Sequence, residues 1–315
     1  MRTVIAFTVL SGLTLTLPAG SAEPGHRHRH RLIAADKGKV AVVEADGKVS
    51  WEYPNPFTIH DLARLPNGNL LFQTGPATVV EVSPDKKVVW SYRSKPQPPY
   101  SGPVEVHAYQ RLANGSTMIA ETGNQRIIEV DRDGVIVKVV PLKVDHPHPH
   151  RDTRQARKLS NGHYLVCHEG DGVVREYDGD GQVVWSHALD LAGRPRTSGH
   201  DGHGTECFSA LRKADGNTLI ACGNGNRVIE VNPKGAIVWS IEQDELPGIK
   251  LFWVTTLDLR PNGNLIFGNC HAGPDNPQII EVTRDKKVVW TFKDHELFGN
   301  DLVCSVILDG DGSGD

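Results

Sequence analysis

Asn67-Gly68-Asn69-Leu70-Leu71-Phe72, then Thr78-Val79-Val80-Glu81-Val82, Ser83-Pro84-Asp85-Lys86-Lys87 and Val88-Val89-Trp90 make up one period of a repeat, and its recurrence decides the fold. Asn-Gly or Asp-Gly turns return with their glycines at Gly68, Gly115, Gly162, Gly216, Gly263 and Gly310, spaced 47, 47, 54, 47 and 47 residues apart. A fixed period of this length marks a repeat architecture. Each of the first five turns leads into an apolar run. A second run follows and ends in Glu81-Val82, Glu129-Val130, Glu176-Tyr177, Glu230-Val231 or Glu281-Val282. A charged turn comes next, and then a Val-Val-Trp-like run that places Trp90, Trp185, Trp239 and Trp290 in register, with Lys138 in that place in the third unit. Short β-branched runs between such turns are hairpin signals, so each unit reads as a four-stranded antiparallel meander.

The chain ends imply closure. Gly310 stands where a further unit needs three more strands, but the sequence stops at Asp315. The missing strands are at the other end, in Leu32–Ala35, Lys39–Val43 and Lys48–Tyr53, with Trp51 in the Trp90 position. The expected fold is all-β: a six-bladed β-propeller of four-stranded antiparallel blades, one closed by a C-terminal strand pairing with three N-terminal strands. Such a ring leaves no open sheet end. Domain boundaries follow: residues 1–22 a signal peptide, 23–30 a disordered His/Arg-rich leader carrying His26, His28 and His30, and 31–315 a single propeller. The apolar run from Thr3 to Leu17 behind Arg2, with small residues at Gly20 to Ala22, has the form of a secretory signal and is too short for a bilayer span. The protein is therefore expected to be exported, to the periplasm or the extracellular space.

Composition narrows the partners. Lys+Arg 34 against Asp+Glu 38 gives a formal charge of −4, so neither a nucleic-acid footprint nor a polybasic membrane patch is expected. Five cysteines with no Cys-x-x-Cys spacing give no zinc ribbon or dithiol site.

In a four-stranded blade, the connection into the innermost strand and the loop between the second and third strands share one face of the disc. That face is irregular and polar here. His60 and His107 each lie eight residues before their turn glycine, with Arg154 and Thr255 at the same offset in later units. The second strands of the blades, the apolar runs that follow the turn glycines, end near Glu121, His168-Glu169, Asn224 and Asn269-Cys270-His271, and the long unit adds a glycine-rich stretch with His200, His203 and Glu206. Imidazoles and carboxylates converging on a central pocket suit general acid–base chemistry or a divalent metal. His60, His107 and Arg154 are the catalytic candidates, and Glu121, His168, Glu169, His200, His203, Glu206, Asn224, Asn269 and His271 the binding candidates. The competing account has these histidines bonding neighbouring blades around a water-filled channel. His146, His148 and His150 alternate with prolines, which favour polyproline II and scatter the rings, so this stretch reads as a stiff connection. The tryptophans read as inter-blade packing.

Asp46-Gly47-Lys48-Val49-Ser50-Trp51 and Asp180-Gly181-Gln182-Val183-Val184-Trp185 resemble the repeats of quinoprotein-type propellers, and His60 to Leu71 is similar to arylsulfotransferase propellers. That resemblance implies a six-bladed exported protein in which a histidine takes a sulfuryl group from a phenolic sulfate while other histidines and an arginine hold its oxygens. His60, His107 and Arg154 are the chemically suitable residue types. A quinone cofactor is not expected, because the quinoprotein dehydrogenases resemble eight-bladed rings with an adjacent cysteine pair. Two functions are thus carried forward. One is an enzyme, arylsulfotransferase-like or metal-assisted, acting on an anionic or phenolic small molecule or a carbohydrate. The other is a non-catalytic propeller module that binds a ligand or a protein partner.

Overall fold

The computed structural model describes residues 30–189 and 207–309. The signal segment, most of the leader, and His200, His203 and Glu206 lie outside the described residues. The described residues form six four-stranded antiparallel sheets, the blades of a β-propeller, and contain no helix. None could therefore cross a membrane as a long apolar helix.

The first blade confirms the closure. Cys304–Ile307 pairs with Leu32–Asp36, which continues into Lys39–Val43 and Val49–Pro54. The second blade is Leu62–Arg64, Leu70–Gly75, Thr78–Val82 and Val88–Arg93, and the third is Glu105–Arg111, Thr117–Thr122, Arg126–Val130 and Ile136–Pro141. Ala156–Lys158, Tyr164–His168, Val173–Tyr177 and Val183–Ala188 form the fourth. The fifth is Ser209–Arg212, Thr218–Ala221, Val228–Val231 and Ile237–Ile241, and the sixth Trp253–Leu259, Leu265–Cys270, Ile279–Val282 and Val288–Phe292.

The middle strands of each blade are buried on both faces because another blade packs on each side. Ile33, Val40 and Val42 of the first blade meet Leu62, Leu70, Phe72 and Val80 of the second in one apolar cluster. Leu32, Ala41 and Val43 meet Ile279 and Phe292 of the sixth across the closing seam. Outer strands alternate instead, with Val88, Val137 and Val184 at least half exposed.

The recurring Glu-Val step has a structural cause. The third and fourth strands slip register by one residue at this step in every blade, a bulge between Glu81/Val82 and its counterparts. The glutamate is buried and reaches a cation of the next blade: Glu81 to Arg111 at 2.9 Å, Glu176 to Arg212 at 2.8 Å, and Glu230 to Arg284. Asn69, Asn217 and Asn264 from the inner turns donate amide hydrogens to Glu81, Glu230 and Glu281.

His30 closes this chain of contacts. Its Nε2 lies 2.8 Å from Glu281 and its Nδ1 2.7 Å from Asp309. The residue at the end of the expected disordered leader is therefore built into the ring, because it supplies the partner that Glu281 needs from the first blade. The tryptophans bridge blades as expected, with Trp51 Nε1 donating to the Pro84 carbonyl at 2.8 Å and Trp185 Nε1 to Pro233 at 3.2 Å. All five cysteines are buried.

Candidate functional site

At the axis, on the face predicted to be polar, a cavity of about 620 Å³ opens between the connections into the inner strands. Its wall includes His60, Glu105, His150, Trp253, His271 and Asp301, together with Phe57 and three further apolar residues.

His60 enters from the connection into the second blade. Its backbone N–H donates to Gln73 Oε1 at 3.1 Å, which ties it to the neighbouring strand. The next residue anchors the loop across the channel: Asp61 accepts from the Tyr109 amide at 3.1 Å and from both Arg157 Nη atoms at 2.7 and 2.8 Å. His107 comes from the inner strand of the third blade, at a register shift between Val106 and Ala108. The two rings lie 4.2 Å apart, and His150 brings a third ring 5.0 Å from His107 and 6.0 Å from His60.

Glu105 joins this cluster. Its Oε2 is 2.9 Å from His107 Nε2 and 2.7 Å from His150 Nδ1. Burial opposes the charge on Glu105, but the bonds from His107 and His150 outweigh it and hold the carboxyl well below its usual range. Burial lowers His107 to about 4, with the nearby Arg154 guanidinium adding to the effect and the Glu105 bond opposing it. His107 is thus neutral at pH 7, a base held behind Glu105.

Across the cavity His271 stacks on Trp253 with ring centres 5.1 Å apart, and its Nε2 lies 3.4 Å from Asp301. His271 adopts a left-handed backbone with φ 60°, a conformation that costs a non-glycine residue free energy and recurs at ligand sites.

The sequence candidates divide clearly. His60 and His271 reach the cavity wall. His107 and Arg154 lie just behind it, with Arg154 fully buried, its Nη1 3.5 Å from His107 Nδ1 and its Nε 2.5 Å from Glu169. Arg154 and Glu169 therefore form a buried pair and do not present groups to a ligand. Glu121 is taken by Arg126 at 2.6 Å and Asn124 at 2.8 Å within its own blade. His168 sits between the Asp152 carbonyl at 2.7 Å and the Tyr177 hydroxyl at 2.8 Å. Asn269 accepts from Phe252 N and donates to the carbonyls of Lys250 and Pro277, which makes it a loop anchor. Asn224 is buried and does not line the cavity.

Glu105, His150, Trp253 and Asp301 were not among the sequence candidates. Glu105 and His107 form an i, i+2 pair on one strand, a same-face signal that was legible. The histidine–proline stretch does scatter its rings: His146 bonds Asp171 at 3.0 Å, whereas His150 turns into the cavity. A stretch read as a stiff connection thus also delivers one ring to the centre.

A family model described as outer membrane protein assembly factor BamB matches residues 36–197. No curated protein matches the sequence. Among solved structures, a protein of unknown function from Bacteroides caccae is 25% identical, covering 89% of this chain and 99% of its own, with a TM-score of 0.73. A catalytically inactive virginiamycin B lyase from Staphylococcus aureus with quinupristin is 14% identical, covering 86% of each chain, with a TM-score of 0.54. BBS1N in complex with ARL6DN is 14% identical over 83% of this chain and 75% of that one, with a TM-score of 0.53. At 14% identity the likeness is one of fold.

Proposed function

Because this chain belongs to the outer membrane protein assembly factor BamB family of PQQ-like repeat propellers, we propose that it is an exported protein whose channel mouth binds a hydroxyl-bearing ring compound, a carbohydrate or phenol, and acts on it by acid–base chemistry. The observation that carries this reading is the axial cavity, which sets His60, Glu105 and His150 on its wall together with the Trp253–His271 stack. A cavity of about 620 Å³ falls within the roughly 300–1,000 Å³ range of small-molecule sites. Aromatic faces take the flat or apolar side of a ring, while carboxylates and imidazoles accept and donate to its hydroxyls.

The charge balance favours a neutral ligand over a sulfate ester. Glu105 and Asp301 face the cavity, and Arg154, the cation expected to hold sulfuryl oxygens, is engaged by Glu169. In the sulfuryl-transfer version of the reading, His60 is the nucleophile that the cavity would admit. The test is a panel of mono- and oligosaccharides, phenols and aryl sulfates, read by tryptophan fluorescence and by product formation. Saturable binding of hydroxyl compounds that weakens in His60→Ala supports the proposal. Binding of none of the panel, or preference for the sulfates, overturns it.

A second reading, a protein partner at the rim, is favoured by the exposed Val137, Val183 and Val184 on outer strands, since a strand edge can accept a further strand. Val137→Lys with Val184→Lys would then abolish complex formation and leave ligand binding in the cavity unchanged.

A further inference from the structure

We propose that Glu105, His107 and His150 form a binding site for a divalent transition metal, with zinc the best fit, whose open coordination positions face the axial cavity. The inference shares the cavity, and Glu105 and His150 on its wall, with the ligand proposal, and the two are read by separate measurements.

One donor atom from each of the three residues, a carboxylate oxygen and two imidazole nitrogens, lies within 4.8 Å of the other two. This combination of two histidines and one carboxylate suits zinc and its first-row neighbours, and a three-ligand set leaves room for water or substrate. Glu105 Oε2 is 2.9 Å from one nitrogen and 2.7 Å from the other. Tetrahedral ligands around zinc stand about 3.3 Å apart, so the cluster needs to open by roughly 0.5 Å to admit the ion. Glu105 and His150 border the cavity and have space for that movement.

The surroundings supply what a metal-bound histidine requires. His107 Nδ1 faces the Thr153 carbonyl at 3.2 Å. With Nε2 on the metal, the ring hydrogen moves to Nδ1 and is accepted there, which fixes the tautomer and orients the ring. The His150 segment is also held: its N–H donates to His148 Nδ1 at 3.2 Å, and Asp152 Oδ1 accepts from the His148 amide at 2.5 Å. Both imidazoles are therefore delivered by restrained backbone, on an inner strand and on a proline-flanked turn.

A second donor cluster, Cys270, His271 and Asp301, lies on the opposite wall. It is the poorer candidate. Burial pushes the Cys270 thiol well above its usual range, away from the thiolate a metal needs, and the thiol donates to the Asn300 carbonyl at 3.7 Å. His271 thus serves as an internal control.

The experiment uses the untagged full chain, with His26→Ala and His28→Ala to silence the leader, stripped of metal and titrated with zinc and with cobalt(II). The expected result is one equivalent bound, with visible cobalt ligand-field bands of a four- or five-coordinate site. Glu105→Gln and His150→Gln, whose folding is checked by thermal unfolding, should each weaken binding more than about 100-fold, whereas His271→Ala should leave it within a factor of about three. No saturable binding, binding unchanged in the Glu105 and His150 variants, or binding lost in His271→Ala would each overturn the assignment. Saccharide or phenol binding by the metal-free protein reads the earlier proposal separately.

Discussion

Trp239, on the outer strand of the fifth blade, donates its indole N–H to the carbonyl of Arg284 in the sixth blade at 2.9 Å, and the guanidinium of Arg284 lies over the same indole, 4.5 Å from its centre. One arginine thus meets one tryptophan twice, through its backbone and through its charge. Trp185 repeats the arrangement with the Pro233 carbonyl and the Arg212 guanidinium. These contacts join neighbouring blades where their apolar cores have ended.

Trp239→Phe keeps much of the cation–ring contact and loses the hydrogen bond. It should destabilise the protein by about 1 kcal/mol. Trp239→Ala also removes the ring under Arg284 and should cost about 2–3 kcal/mol. Urea unfolding of both variants checks this; equal losses would mean that the ring contributes nothing beyond its N–H.

Glu230 tests the buried carboxylate ring. It is 1% exposed and holds Arg284, Lys213 at 3.0 Å and Asn217 at 2.6 Å. Glu230→Ala removes the buried acceptor of Asn217 and leaves Lys213 to Asp215 and the half-exposed Arg284 to solvent, and should cost about 1–3 kcal/mol. A loss below about 1 kcal/mol in the same unfolding assay would show that these pairs behave as solvated surface charges.

His168 makes stability depend on pH. Burial, aided by the Arg175 charge, lowers its pKa to about 4, whereas an unfolded histidine titrates near 6.5. Between those values the unfolded chain binds more protons, so stability rises with pH across this window. The contribution is complete above pH 6.5, is lost as pH falls, and levels off below about 4, at a cost on the order of 3 kcal/mol. Thermal unfolding at pH 7 and pH 4.5 should show a smaller acid-induced drop in His168→Gln than in the native chain; equal drops would assign the acid sensitivity elsewhere.

The thiols should be silent in the folded protein. All five are buried, and burial pushes Cys207, Cys270 and Cys304 well above the ordinary thiol range. A thiol-reactive disulfide reagent should find none in the native state and five after full unfolding. Fewer than five after unfolding would reveal a bridge.

The candidate site was only partly legible. His60 and His107 were found because their offset from the turn glycine repeats, and equal offsets in adjacent blades put residues side by side near the axis. Arg154 shares that offset but turns to Glu169, and the repeat contains no information about which neighbour a buried charge will choose. His150 was missed for a different reason. The prolines around it predict its backbone conformation well, but that conformation does not tell which ring faces inward once the connection crosses the channel. Asp301 and Trp253 lie far from the other wall residues in the chain, and nothing local links them.

By itself the sequence determined the period, the strand and turn pattern, the blade number and the closure of the last strand onto the first three. These are local matters of alternating apolar residues and turn glycines, counted along the chain. Which side chains share the cavity was decided only when the ring closed, because hydrogen bonds and ion pairs act over a few ångströms and the residues that meet at the axis come from five different blades or the connections into them.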